Sequence, residues 1–188
     1  MSLVDLIGIH IEAQSGAPLV LLREHDAPHR YLPVFIGDAE AAAIAFAVAG
    51  EAPPRPLTHD VMAALVESLG GRVDSVEITE LRDGTFFAHV AVSGPAGGRR
   101  LDSRPSDAIA LAVRFGAPVF VSDEVLDIAG TLPEENPDDD DHIVVDAEAV
   151  EEEVERFRAL LEQLEPADFD PPPSPEPDAV ERGDDEAA

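Results

Sequence analysis

Past residue 130 the chain changes character, and that change limits what can fold. Residues 131–188 carry 22 acidic side chains against three arginines, a net charge of −19, whereas residues 1–130 carry nine arginines against 18 acids, a net of −9. A segment so charged cannot bury enough apolar surface to offset the entropy lost on ordering it. One compact domain over residues 1–130 is therefore expected, followed by an acidic linker (131–145), an amphipathic helix (146–165) and a disordered, acidic, Pro-rich tail (166–188). The helix is read from Val150, Val154, Phe157, Leu161 and Leu164, which recur at spacings of 4, 3, 4 and 3. Two heptads are too short to be stable alone, so the stripe is expected to dock on the domain or on a neighbouring subunit.

Within the domain, residues 3–12 and 18–23 read as strands joined through Ser15 and Gly16, and residues 30–36 read as a third. Gly37 then leads into an Ala-rich helix over 38–49, with Asp38 and Glu40 in its first turn and Gly50 just past its end. The prolines of EAPPRP cannot be helical, but Thr58 is a suitable N-cap for a second helix expected to bury Val61, Met62, Leu65 and Leu69 and to stop at Gly70 and Gly71. A second set of strands follows at 72–81, 85–93 and 99–102, the first two joined by Asp83-Gly84, a hairpin signal. Pro105 suits the first turn of a third helix, which carries Ile109, Ala112 and Val113 and ends at Gly116 before a last strand at 118–121. Three strands followed by a helix thus occur twice. The expected fold is α+β, with duplicated three-strand-plus-helix units forming a mixed, barrel-like sheet with packed helices.

The absence of cysteine excludes a disulfide framework, a thiolate metal site and a cysteine nucleophile. Residues 1–16 have no basic leader region, and Asp5 and Glu12 interrupt their apolar stretch, which argues against a signal peptide. The longest apolar run, residues 41–50, is about half of what a bilayer requires. A soluble, cytoplasmic protein without a membrane partner is the expectation. No phosphate loop, dinucleotide fingerprint, HExxH or GxSxG is present, which removes the commoner nucleotide, zinc-protease and serine-hydrolase readings.

Four strings, LPVFIGDAEAAAIAFAVAG, PPRPLTHD, LRDGTFFAHV and LDSRPSDAIALAVRFGAPVFV, stand in this order along the domain. In order and spacing they resemble the bifunctional nuclease domain of bacteria and plants, over about residues 1–130. The resemblance implies an α+β fold with a duplicated strand and helix arrangement, self-association, and the ability of some members to degrade RNA and DNA. It brings no settled catalytic residues with it.

Cleaving a phosphodiester requires charge neutralisation at phosphorus, an activated water and a stabilised leaving oxygen, which proteins often supply with carboxylate-held Mg²⁺ or Mn²⁺ plus Arg and His. Three helix starts carry such groups: Asp38 and Glu40, then His59 and Asp60, then Arg104, Ser106 and Asp107. If they converge, His59, Asp60, Arg104 and Asp107 are the candidate catalytic residues. Arg55 and Ser106 are then candidates for binding phosphate, and Asp38 and Glu40 for holding Mg²⁺ or Mn²⁺. The plainer alternative is that acids favour first turns in any protein, through capping and the helix dipole, each contributing about 0.5–1 kcal/mol. Arg104 could equally pair internally with Asp102 or Asp107, and Arg55, stiffened between Pro54 and Pro56, could pair with any nearby acid.

Charge opposes the nuclease reading, because affinity for nucleic acid comes largely from Arg and Lys neutralising phosphates. With the domain at −9, binding to nucleic acid is expected to be weak and salt-sensitive. Two functions of different class are left open. One is a metal-assisted nuclease of low sequence specificity acting on RNA and DNA. The other is a non-enzymatic oligomeric module that binds a small anion or a partner protein; a homo-oligomer, taken as a dimer, is expected in either case.

Overall fold

The computed structural model describes residues 1–12 and 15–132. The linker, amphipathic helix and tail expected beyond this point lie outside the described residues. In chain order the elements are β1 (Ser2–Ile11), β2 (Pro18–Glu24), β3 (Tyr31–Phe35), α1 (Asp38–Ala49), α2 (Thr58–Ser68), β4 (Arg72–Arg82), β5 (Thr85–Ser93), β6 (Arg99–Ser103), α3 (Pro105–Phe115), β7 (Val119–Val121) and α4 (Asp123–Ala129).

The strands form one mixed seven-stranded sheet in the order β3-β2-β1-β7-β4-β5-β6. Each antiparallel meander, β1-β2-β3 and β4-β5-β6, is followed by a helix, and β7 joins them by pairing antiparallel to β1 and parallel to β4. The sheet is open, so the expected barrel-like closure is corrected. β3 and β6 remain as edges and carry residues that discourage further pairing: Pro33 on β3, and Arg99 and Arg100 on the exposed β6. At the β4–β5 turn Asp83 and Gly84 both have positive φ, 50° and 75°, as a tight hairpin of matching twist requires.

The core joins the sheet to α1 and α3. Ala41 to Phe46 are all buried, and so are Ala108 to Ala112. A helix apolar on every side belongs inside a domain, and the small side chains let α1 and α3 pack closely against each other. Gly50, at φ 67°, closes α1 in the left-handed conformation.

Two expectations about the helices are corrected. The residue capping α2 is Leu57 rather than Thr58, its backbone N–H donating to Asp60 Oδ2 at 2.7 Å. The apolar residues of α2 are not buried: Val61, Met62, Leu65 and Leu69 are 48, 38, 54 and 72% exposed. Periodicity identifies an apolar face, but not what covers it. With the chain dilute enough to be monomeric, Leu65→Ser is expected to change the unfolding free energy by less than about 0.5 kcal/mol, against about 2–5 kcal/mol for Leu22→Ala in the core. Denaturant unfolding of both variants checks this.

The unforeseen α4 packs against β3 and β4 and is held by Arg30. The Arg30 guanidinium grips the Glu24 carboxylate with both faces of its fork, Nε to Oε2 at 2.9 Å and Nη2 to Oε1 at 2.8 Å, while Nη1 donates to Asp127 on α4. The Glu24 side chain is only 4% exposed, and the hydrogen bonds from Arg30, outweighing the cost of burial, lower its pKa to about 2. Among the described residues no helix is long and apolar enough to cross a membrane.

Candidate functional site

The first turns of α1, α2 and α3 meet. Arg104, the residue preceding α3, donates from Nε to Asp107 Oδ2 at 2.7 Å and from Nη2 to Asp107 Oδ1 at 2.9 Å. The same Nη2 donates to Glu40 Oε1 of α1 at 2.8 Å. His59 of α2 reaches the same carboxylate, Nε2 lying 3.0 Å from Asp107 Oδ1. An ionised carboxylate only accepts, so in this contact Nε2–H is the donor. Four side chains from three helices therefore form one chain, Glu40–Arg104–Asp107–His59.

Exposure ranks the members of this chain. The Arg104 side chain is 66% exposed, Asp107 and Glu40 are 22 and 19%, and His59 is 7%. Burial alone would raise the Asp107 carboxyl, but hydrogen bonds from Arg104 and His59 outweigh it and hold the group below the usual carboxylate range. The Arg104 guanidinium is raised in turn by Asp107 and Glu40. With Nε2 committed to Asp107 and Nδ1 buried without a hydrogen-bond partner among the described residues, His59 positions Asp107 instead of offering a nitrogen to an incoming molecule. Arg104 is the member that faces solvent. A cavity of about 310 Å³ opens over the cluster, walled by Ala39, Ala43, Leu57 and Thr58.

Other candidates fall elsewhere. Asp60 turns to Arg114, whose Nε donates to Asp60 Oδ1 at 2.7 Å. Burial would raise the Asp60 carboxyl, yet the Leu57 N–H and Arg114 hold it down. Arg114 also donates to the carbonyls of Ala43 and Ala110, so it ties α1, α2 and α3 together and fixes the relative placement of the three helix starts. No local pattern signals this role; a lone Arg in the last turn of α3 reads as a dipole partner. Arg55 is exposed and makes no hydrogen bond or ion pair among the described residues. Ser106 is buried at 8% exposure and lines a second, adjoining cleft that also includes Arg104.

Asp38 is exposed, whereas Glu40 and Asp107 are both ion-paired with Arg104. Among the described residues no group of three or more His, Asp or Glu side chains is disposed to hold a metal ion. The cluster does not fit a preformed Mg²⁺ or Mn²⁺ site; it is an arginine held in place by carboxylates.

The open mixed sheet and the convergent helix starts can be set beside known proteins. The profile of the bifunctional nuclease domain matches residues 20–134. The chain belongs to the bifunctional nuclease domain family. It is 41% identical over 169 residues to an uncharacterized protein of Mycobacterium tuberculosis, covering 90% of this chain and 98% of that one. Bifunctional nuclease 1 of Arabidopsis thaliana is 26% identical over 118 residues, 61% of this chain and 36% of the plant protein. Bifunctional nuclease 1 of Oryza sativa subsp. japonica is 26% identical over 106 residues, 55% of this chain and 32% of the rice protein.

Proposed function

We propose that the protein is a nuclease of low sequence specificity that hydrolyses phosphodiester bonds of RNA and DNA at the Glu40–Arg104–Asp107–His59 cluster. The observation that supports this most is an exposed guanidinium held by the Glu40 and Asp107 carboxylates of α1 and α3, with His59 of α2 behind Asp107, in a chain whose plant relatives are named bifunctional nucleases. In this reading Arg104 binds the phosphate, Asp107 fixes the guanidinium plane and His59 fixes Asp107. A planar fork held in this way matches two phosphate oxygens at little entropic cost.

The phosphate competes with Glu40 for Arg104 Nη2. Once displaced, the Glu40 carboxylate lies beside the bound phosphate and takes the proton of an attacking water. A new P–O bond forms as one ester P–O bond breaks, and the departing oxygen takes its proton from solvent. Positioned base catalysis of this kind contributes about 10²–10⁴-fold.

Glu40→Gln separates the two roles of this residue. It removes one negative charge next to Arg104, so a single-stranded oligonucleotide is expected to bind about threefold to tenfold more tightly at low salt, while the cleavage rate constant falls about 100-fold or more. Fluorescence anisotropy and single-turnover cleavage check the pair. Weaker binding in Glu40→Gln, or unchanged cleavage, would remove Glu40 from the scheme. A requirement for Mg²⁺ or Mn²⁺ is tested in the same assay, because such an ion is commonly held by one or two carboxylates plus substrate phosphate oxygens and needs no complete protein cage. The negative domain makes binding weak and strongly salt-dependent in this reading.

The exposed face of α2 favours a second component, self-association as a homodimer in the cytoplasm. Sedimentation velocity of the parent and of Leu65→Ser tests it, a dimer that persists unchanged in the variant counting against this face.

A further inference from the structure

Adjoining the cavity over the cluster, and sharing Arg104 with it, a cleft of about 410 Å³ runs between the end of β3 and the start of β5. Its volume lies within the range of about 300–1,000 Å³ typical of small-molecule sites. Two aromatic residues are among those that line it, Phe35 at the end of edge strand β3 and Phe86 just after the Asp83-Gly84 turn. They differ in burial. Phe86 is partly buried and packs against the core, whereas Phe35 is 58% exposed on the rim. Polar groups are few: Ser106, Thr85 and Arg104. Arg104 borders this cleft and the cavity over the ion-pair cluster alike, so a phosphate on its guanidinium stands at the mouth of an aromatic-lined pocket.

We infer that this cleft holds an unpaired nucleobase of a single-stranded nucleic acid, stacked on Phe35, while Arg104 takes the adjacent phosphate. The inference rests on the nuclease reading above and adds the form of its substrate. An aromatic ring, a guanidinium and little else polar form a site for a flat, apolar-faced group that carries an anion. Stacking tolerates any base, which suits low sequence specificity. It demands a base free of its partner, so a duplex is excluded from the pocket. Stacking also supplies affinity that a domain of net charge −9 cannot draw from phosphates alone.

The test uses the full chain and three fluorescein-labelled probes: a single-stranded decathymidylate, a decamer of the same phosphate spacing with abasic residues throughout, and a blunt duplex of ten base pairs. Binding is read by anisotropy at low salt, and cleavage of the same probes is followed in parallel. The parent is expected to bind the base-bearing single strand about tenfold more tightly than the abasic strand or the duplex. Phe35→Ala, at an exposed position, should remove about tenfold from the base-bearing strand and nothing from the abasic one, while Phe35→Tyr should retain the affinity. Equal affinity of the parent for the base-bearing and abasic strands, or an unaffected Phe35→Ala protein, overturns the pocket; if the parent still cleaves, the nuclease reading survives. Neither binding nor cleavage of any probe overturns both.

Discussion

Arg104→Ala is expected to lower kcat/KM for a single-stranded RNA or DNA by about 10²–10³-fold, the loss typical of removing one preorganised charge donor from a reacting centre. Folding should be nearly untouched. The side chain is 66% exposed, and exposed ion pairs contribute about 1 kcal/mol or less. Arg104→Lys keeps the charge but loses the fork that meets Asp107 through two nitrogens, so it should recover only part of the rate. Initial rates on a labelled oligomer, with denaturant unfolding as the control, separate a functional loss from a structural one. A variant that cleaves as fast as the parent would move the phosphate site away from this cluster.

The largest effect on stability is expected at Arg30. Replacing it by Ala leaves the Glu24 carboxylate, 4% exposed, without the cation that compensates it, and also frees α4 from the β2–β3 hairpin. Breaking a buried pair from one side costs about 3–5 kcal/mol. The dependence on pH follows from the sign of the Glu24 shift. Its folded pKa, about 2, lies below its ordinary value of 4.5, so the pair's contribution is fully present above pH 4.5 and is lost as pH falls from 4.5 towards 2. The contribution at stake is on the order of 3 kcal/mol. Urea unfolding of the parent should weaken across that window, and in Arg30→Ala most of that dependence should vanish. An Arg30→Ala protein as stable as the parent would contradict the account of how α4 is held.

Much of the fold could be read along the chain because its signals are local. Asp38 and Glu40 at one end and Gly50 at the other bound α1 as expected, and Asp83-Gly84 marked the β4–β5 turn. Helix α4 has local signals, Ser122 capping it through the Val125 N–H and Asp123 and Glu124 filling its first turn, but at seven residues it is too short for periodicity to announce. Sheet closure depends on whether two distant edges meet, which no local pattern encodes. The same applies to α2, whose apolar face is visible in Val61, Met62, Leu65 and Leu69 but whose covering is not. At the site, helix starts supplied the right residue types, since first turns favour acids for reasons of their own. Which of them pair is a matter of tertiary placement: His59 and Asp107 are 48 residues apart, Asp60 and Arg114 are 54. Hence Asp60, equal to Asp107 as a sequence candidate, joins the helix-tethering pair instead of the Arg104 cluster.

The most direct test of the central claim is cleavage of labelled single-stranded RNA and DNA by the purified full-length chain, in Mg²⁺, Mn²⁺ or EDTA, beside Arg104→Ala and His59→Gln. The account predicts cleavage by the parent in at least one of these conditions, loss of about 100-fold or more in Arg104→Ala, and a smaller loss in His59→Gln, which touches the cluster only through Asp107. No cleavage by the parent under any condition, or cleavage that persists undiminished in Arg104→Ala, would contradict it.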